Sequence, residues 1–288
     1  MFLILKILIT GSGTLLGNNI ALQACKKHNI FASYRKSFPK NLKKNITLIK
    51  LDLEKEFNLD LKVDCLIHCA SAIPSENISD KRMMKINYYG FKKLALQLIE
   101  TGCKKIIFIS SMSVYGDIKV DNVNSNTKTK PTDTYGCSKL KIEDFIKKLK
   151  KDKKINFFIL RLPALVGVNS DYNFISKVLR KIKKKETVVY SNPNLKFNNF
   201  VHVKNLANII VKMIKLNDSR ILNIASSRPV KLKNIIKFMH RFEHKKNNSI
   251  VKKSKNKGFN VKIENYLKNN FKIFSTNKTL KLFLNDNR

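Results

Sequence analysis

No stretch of this 288-residue chain approaches the ~20 consecutive apolar residues that cross a bilayer, so no membrane-spanning helix is expected. Cysteine is sparse and unpatterned. Cys25, Cys65, Cys69, Cys103 and Cys137 are odd in number and form no Cys-x-x-Cys. Cys65 and Cys69 fall in an apolar segment rather than a chelating loop, so reduced thiols, a cytoplasmic setting and no zinc site are expected. His240 and His244 share a helical face but lack acidic or cysteine neighbours, and no metal site is expected there. His68 and His202, on apolar strands, read as packed structural histidines. Residues 1–9 have a short apolar run interrupted by Lys6, with no basic residue ahead of it. They read as a buried strand rather than a secretion leader.

Acid is scarce as well: 20 Asp and Glu stand against 58 Lys and Arg, a net charge of +38. Such an excess attracts polyanions, yet the lysines are spread along the whole length and no aromatic-interleaved basic motif accompanies them. No specific nucleic-acid partner is expected. Phosphorylated small ligands are the better match to this field.

What is present is alternation. Near-continuous apolar runs at 3–9, 30–34, 46–51, 65–69, 105–110 and 156–160 read as strands covered on both faces. Helical segments at 13–29, 81–101 and 134–151 separate them. The rhythm predicts an α/β fold, a doubly wound parallel Rossmann sheet with right-handed crossovers. After about residue 167 it loosens into helices at 174–185 and 232–243, a strand-to-helix stretch at 200–216, a strand at 221–225 and a polar loop at 244–257. The expected organisation is a dinucleotide-binding domain over 1–166 and a smaller substrate lobe over 167–288, with about 198–225 returning to the sheet.

The first strand runs into Thr10-Gly11-Ser12-Gly13-Thr14-Leu15-Leu16-Gly17. Glycines where a buried strand turns into a helix let backbone N–H groups and the helix N-terminus face a phosphate. Gly11 and Gly17 have the outer spacing of G-x-x-G-x-x-G, with Thr14 in the middle position and Gly13 one residue early. The second strand ends Ser33-Tyr34-Arg35-Lys36, without the carboxylate that holds an NAD ribose, so Arg35 favours the 2′-phosphate of NADP. Asp52 follows the third strand and is placed to contact the adenine.

Four tyrosines are followed four residues on by lysine, but Tyr135 and Lys139 alone open a helix downstream of a strand ending in serine, Ser110-Ser111. A lysine one turn away on the same face stabilises a phenolate and lowers a phenol from its ordinary ~10. A serine hydroxyl beside it orients an alcohol or ketone while the tyrosine passes the proton.

In order along the chain, residues 10–17, Ile67-His68-Cys69-Ala70, Asn87, Ser110 to Gly116, Pro131 to Lys139, Arg161-Leu162-Pro163, Phe200-Val201-His202-Val203 and Leu222-Asn223-Ile224 form a recurring set. The chain resembles the extended short-chain dehydrogenase/reductases, the NAD(P)-dependent sugar epimerase/dehydratase family. The resemblance implies Ser111, Tyr135 and Lys139 as the catalytic set and Asn87 as a structural or proton-relay position. It implies a cofactor site of Gly11, Gly13, Thr14, Leu15, Gly17, Arg35, Asp52, Leu53, Ala70, Tyr135, Lys139 and Pro163. It also implies a homodimer built on the helices at 81–101 and 134–151.

Departures from the family pattern narrow the chemistry. Met112-Ser113 stand where family dehydratases carry Asp-Glu, which argues against 4,6-dehydration. Ala164 and Asn198 replace the Asn and Arg that often anchor a nucleotide sugar. Ser111, Ser113, Lys177, Arg180 and Lys196 are then the expected substrate contacts. The leading expectation is an NAD(P)-dependent sugar epimerase or 4-keto reductase, its substrate nucleotide-activated. The alternative is a non-catalytic dinucleotide sensor or scaffold of the same fold.

Overall fold

The computed structural model describes residues 3–41, 43–74 and 77–288. Two residues of the opening segment, Met1 and Phe2, lie outside that range. In chain order the strands are β1 (Lys6–Thr10), β2 (Asn29–Tyr34), β3 (Ile46–Lys50), β4 (Cys65–His68), β5 (Lys105–Ser111), β6 (Asn122–Val123), β7 (Asn156–Leu162) and β8 (Ala164–Val166). They continue with β9 (Val189–Tyr190), β10 (Lys196–Phe197), β11 (Phe200–His202), β12 (Arg220–Asn223), β13 (Val230–Lys231), β14 (Ile250–Val251) and β15 (Asn260–Val261). The helices are α1 (Leu15–Ala24), α2 (Asp80–Met84), α3 (Gly90–Glu100), α4 (Thr134–Lys153), α5 (Phe174–Lys183), α6 (Val203–Met213), α7 (Leu232–Phe242), α8 (Asn265–Asn270) and α9 (Thr276–Asp286).

The chain forms two compact units. The first comprises residues up to Asp117 with Lys128–Arg161 and Ala207–Leu222; the second takes Ile118–Thr127, Leu162–Leu206 and Asn223–Arg288. A seven-stranded sheet of order β12-β7-β5-β4-β1-β2-β3 organises the first. The pairs β1–β2, β2–β3, β1–β4 and β4–β5 are parallel. The sheet is the doubly wound arrangement that the apolar runs predict, with the reversal of strand order at β1 and β4. Crevices at that reversal, outside the strands' carboxyl ends, are where such sheets take ligands.

Local chemistry sets the ends of these elements. Leu3 and Ile4 are 75% and 65% exposed, so the buried part of the first strand begins later than its apolar sequence suggests. The first helix also ends earlier than the expected residue 29. Asn29 N–H donates to Leu5 O and Leu5 N–H to His28 Nδ1, so sheet pairing captures the segment before the helix can continue. The expected helix over 81–101 contains a π-helical turn, Lys85–Tyr89, between α2 and α3. Such turns reaim a side chain at the cost of one regular turn, and often mark functional sites. Here the turn carries the buried Asn87.

Apolar side chains of the first unit pack as one cluster that includes Leu8, Leu66, Phe91, Phe108, Ile142 and Ile159. Burying each of these is worth roughly 1.5–3 kcal/mol. The second unit has its own cluster, including Val166, Val178, Phe200, Ile235, Met239 and Phe283. Its strands form short two-stranded pieces, β10–β13, β11–β8, β14–β9 and β15–β6. The expected loop over 244–257 therefore contributes a strand, β14, parallel to β9.

Candidate functional site

The Gly-rich turn is held by contacts that glycine alone permits. Gly11 has φ +68°, and a Cβ there would lie 2.8 Å from the Ala70 backbone nitrogen. A Cβ on Gly13 would approach Ser37 O to 2.0 Å, and one on Gly17 would approach Gly11 O to 2.3 Å. The turn is thus pressed against the ends of β2 and β4 while its outer side faces a crevice. Thr14 caps α1: its hydroxyl donates to Gly11 O at 2.8 Å and accepts from Gly17 N–H at 3.2 Å. The threonine replaces a glycine but points its side chain into the cap, keeping the helix N-terminus available to an anion.

That crevice offers about 210 Å³ of room and is lined by the turn and by the carboxyl ends of β2, β3 and β4. Among the expected cofactor residues, Gly11, Gly13, Thr14, Arg35, Asp52, Leu53 and Ala70 line it. Leu15, Gly17, Tyr135 and Lys139 do not; Gly17 serves the turn's own packing. Pro163 lies in the second unit, between β7 and β8. Arg35 and Lys36 bring two cations to the β2 end of the crevice, and Asp52 accepts the Glu54 N–H at 3.1 Å. A helix N-terminus, a cradle that a Cβ would fill and a cationic rim all suit a nicotinamide dinucleotide.

The proton-transfer groups meet where α4 starts beside the end of β5. Asp133 caps α4, accepting from Gly136 N–H at 2.6 Å. A Cβ on Gly136 would lie 2.5 Å from Ser113 O, so only glycine lets the helix start this close to the 3-10 turn Met112–Tyr115. As a result the Ser111 and Ser71 hydroxyls act on the Tyr135 phenol and favour its ionised form. Ser111 Oγ lies 3.1 Å from Ser113 Oγ and accepts the Ser113 N–H at 3.1 Å. Lys139 Nζ donates to Ile109 O at 3.0 Å and sits 5.4 Å from the centroid of the Tyr135 ring. The structure therefore brings Ser111, Ser113, Tyr135 and Lys139 together.

Electrostatics differ from the sequence expectation. Burial pushes the Tyr135 phenol up to about 12, partly offset by the two serine hydroxyls. Burial also pulls Lys139 down to about 8. The lysine was expected to lower the phenol, but its ammonium is bonded to a backbone carbonyl and is itself short of water. In the protein alone, desolvation is the dominant effect on the phenol.

Ser71 and Asn87 extend this cluster. Asn87 Oδ1 accepts from Ala72 N–H at 2.7 Å, and its Nδ2 donates to Ala72 O and Ser138 Oγ, both at 3.1 Å. Ser71 Oγ donates to Asn87 Oδ1 at 3.2 Å. Sequence reasoning named Asn87 but missed Ser71, which only the folding of the β4 loop onto α4 reveals. Glu143, a buried carboxylate bonded to Arg161, was also missed; its position four residues after Lys139 was the available signal.

The other Tyr/Lys pairs have different partners. Tyr88 and Tyr89 pack against each other, with ring centroids 5.1 Å apart, and Lys93 pairs with Glu56. Tyr115 is buried, and its hydroxyl is bonded by Arg161. In the second unit, Lys177 and Arg180 are on the exposed face of α5 and Lys196 is exposed on β10. Arg180 pairs with Asp171 at 3.5 Å. Asn198 is fully engaged: Nδ2 donates to Ser226 O at 2.9 Å and Val261 O at 2.8 Å, while Oδ1 accepts Val261 N–H at 2.9 Å. His202 and His68 are packed as expected, His202 against Asp286 and His68 against the Thr10 hydroxyl. Among the described residues no helix is long and apolar enough to cross a membrane.

The sheet, the Gly-rich cradle at its strand reversal and the crevice beyond it define a Rossmann-type dinucleotide-binding protein. Residues 7–225 match the NAD dependent epimerase/dehydratase family, and the chain belongs to that family. It is similar to the UDP-glucose 4-epimerase of Vibrio cholerae, 27% identical over 220 residues, covering 73% of this chain and 66% of that protein. The match thus spans just under two thirds of that relative. Among solved structures it resembles the UDP-N-acetylglucosamine 4-epimerase of Methanobrevibacter ruminantium in complex with UDP-N-acetylmuramic acid. The TM-score is 0.80, with 20% identity and 98% and 99% of the two chains covered. The UDP-glucuronic acid 4-epimerase of Bacillus cereus in complex with NAD superposes with a TM-score of 0.81, at 18% identity, covering 97% of this chain and 96% of that one.

Proposed function

We propose that this protein is an NAD(P)-dependent oxidoreductase of a nucleotide-activated sugar, with 4-epimerisation the first reaction to test and 4-keto reduction the second. The single observation that carries the reading is Lys139 Nζ held by Ile109 O beneath the Tyr135 ring, 5.4 Å from its centroid, where α4 starts beside Ser111. A bound nicotinamide dinucleotide would supply the hydride acceptor and donor. Gly11, Gly13, Thr14, Arg35, Asp52, Leu53 and Ala70 would hold it, with Leu15, Gly17 and Pro163 as supporting positions. Ser111 orients the sugar oxygen, and Tyr135 takes or returns the proton at that oxygen. Lys139 holds the positive charge that makes a phenolate tolerable, and proton help of this kind is worth ~10²–10⁴ in rate.

Arg35 supports NADP, since no carboxylate ends β2. Met112-Ser113 argue against 4,6-dehydration. Asn198 is committed to Val261 and Ser226, so the sugar's phosphates need other cations, for which Lys177, Arg180 and Lys196 are the candidates. Ser113, bonded to Ser111, is the candidate for the sugar itself. The homodimer implied by the family resemblance would use α2 to α4.

The test is incubation of the full chain with NAD⁺, or with NADPH, and a panel of UDP-hexoses and their 4-keto forms, followed by product chromatography. Epimer or reduced sugar should appear, and Tyr135→Phe should lower turnover at least ~100-fold with dinucleotide Kd held within about threefold. Full turnover by Tyr135→Phe, or a chain that binds neither dinucleotide, would refute the reading. A chain that binds dinucleotide but turns over no sugar would be the sensor or scaffold alternative, which the imperfect glycine turn and the lost anchors at Ala164 and Asn198 motivate.

A further inference from the structure

Glu143 is fully buried on α4, one helical turn beyond Lys139. A carboxylate persists away from water only when it is paired and hydrogen-bonded. Arg161, also buried, donates from Nε to Oε1 at 3.1 Å and Oε2 at 3.2 Å, and from Nη2 to Oε2 at 2.7 Å. Ser110 Oγ donates to Oε1 at 2.5 Å. On its other side Arg161 Nη1 donates to the Tyr115 hydroxyl at 2.8 Å, and the guanidinium lies 4.9 Å from that ring's centroid.

The pair therefore grips the chain on both sides of Ser111, at the residue before it and at the end of the 3-10 turn after it. Three consecutive residues of β5 are held by one face of α4. Ile109 O takes the Lys139 amine and the Ser110 hydroxyl meets Glu143, while the Ser111 hydroxyl favours the ionised form of Tyr135. Tyr135, Lys139 and Glu143 are spaced at successive helical turns, which places all three on that face.

The groups that face Lys139 leave it one ionised partner. His68 and Cys69, at the end of β4, are neutral: burial takes the imidazole down to about 3 and the thiol up to about 12. The Tyr135 phenol is neutral for the same reason. Among the described residues, Glu143, one turn along α4 and itself paired with the Arg161 cation, is the formal anion acting on the lysine, and it opposes the burial that strips the lysine of its proton.

We propose that Glu143 is a positioning residue for the Tyr135 site. Clamped by Arg161 and Ser110, its carboxylate keeps Lys139 a cation and holds the end of β5 against α4. The inference takes its chemical purpose from the reading of Tyr135 given above, but its test needs no turnover. Glu143→Gln preserves shape and an acceptor oxygen while removing the charge. The Lys139 side chain is titrated by ¹³C NMR in full-length lysine-labelled protein, its signal assigned by its loss in Lys139→Met. The expected result is a Lys139 midpoint lowered by about one pH unit or more, a tenfold loss of proton affinity, in a protein that still melts cooperatively.

If Glu143→Gln does not fold, the double variant Glu143→Met with Arg161→Met replaces the pair by apolar volume, a change buried pairs often tolerate. A fall in the same direction but smaller is expected there, because the guanidinium leaves with the carboxylate. A midpoint unmoved in either folded variant overturns the proposal. Full turnover by Tyr135→Phe would remove the functional reading alone, and an unmoved Lys139 midpoint would remove this inference alone.

Discussion

The two units bury polar side chains for different ends. In the first, side chains that can move a proton or carry charge, Ser111, Tyr135, Lys139, Glu143 and Arg161, gather buried or half-buried where α4 meets β5. In the second, beside the buried His202 and His240, a set of amides and hydroxyls ties irregular backbone together. Asn198 fastens β15 and the chain after β12, and Asn205 bonds Lys272 O and Phe274 N–H, both at 2.8 Å. Ser226 donates to Phe200 O at 2.7 Å. A parallel sheet satisfies its own backbone, so the first unit can spend buried polarity on a site. Two-residue strands cannot, and the second unit needs side chains to satisfy its loops.

That contrast can be broken at its structural end first. Asn198→Ala removes three hydrogen bonds and strands backbone groups in the second unit, so a loss of ~2–4 kcal/mol is expected in urea unfolding. Hydrogen exchange should show the loss confined to the second unit, with NADP(H) binding retained. Equal loss of protection in the β1–β5 region would contradict the division of labour. Next, Arg35→Ala should weaken NADP binding about 10- to 100-fold, as loss of a charge-assisted hydrogen bond does, and leave NAD binding within about threefold. Calorimetric titration with each dinucleotide measures both, and equal weakening of the two would remove Arg35 from the 2′-phosphate.

The smallest effect has the opposite sign. Lys139 is held at about 8, below its ordinary 10.5, so the unfolded chain binds its proton more tightly than the folded one. Wild-type stability should therefore rise as pH climbs from about 8 to 10.5, and the burial cost is present in full below 8. Lys139→Met should melt higher at pH 7, by ~1–2 kcal/mol after the lost bond to Ile109 is counted, with the gain gone above pH 10.5. A variant less stable than wild type at pH 7 would show that the ammonium is not paying a desolvation cost.

Much of the first unit was legible because its signals are periodic. Apolar runs such as 105–110 and 156–160 mark strands covered on both faces, and the glycines at 11, 13 and 17 mark a turn whose close contacts forbid a Cβ. Ser111, Tyr135 and Lys139 were identifiable from their order along those elements. The second unit was less legible, since two-residue strands such as β14 carry no period and are set by pairing with distant segments. Ser71 and Glu143 escaped for a related reason: a serine in a loop and an acid in a charged helix look ordinary until tertiary contacts bury them. The direction of the Tyr135 shift was misjudged because sequence shows which charges are near, whereas burial decides how much water remains to solvate a phenolate.

The most direct measurement is the titration of Tyr135 by ¹³C NMR in tyrosine-labelled protein, alone and then saturated with NADP⁺ and UDP. In the protein alone the midpoint should lie near 12. With both ligands bound it should fall by several units toward neutrality, because a phenol serving as acid and base has to ionise near working pH. A midpoint that stays near 12 in the fully liganded protein would contradict proton transfer by Tyr135, and with it the proposed chemistry.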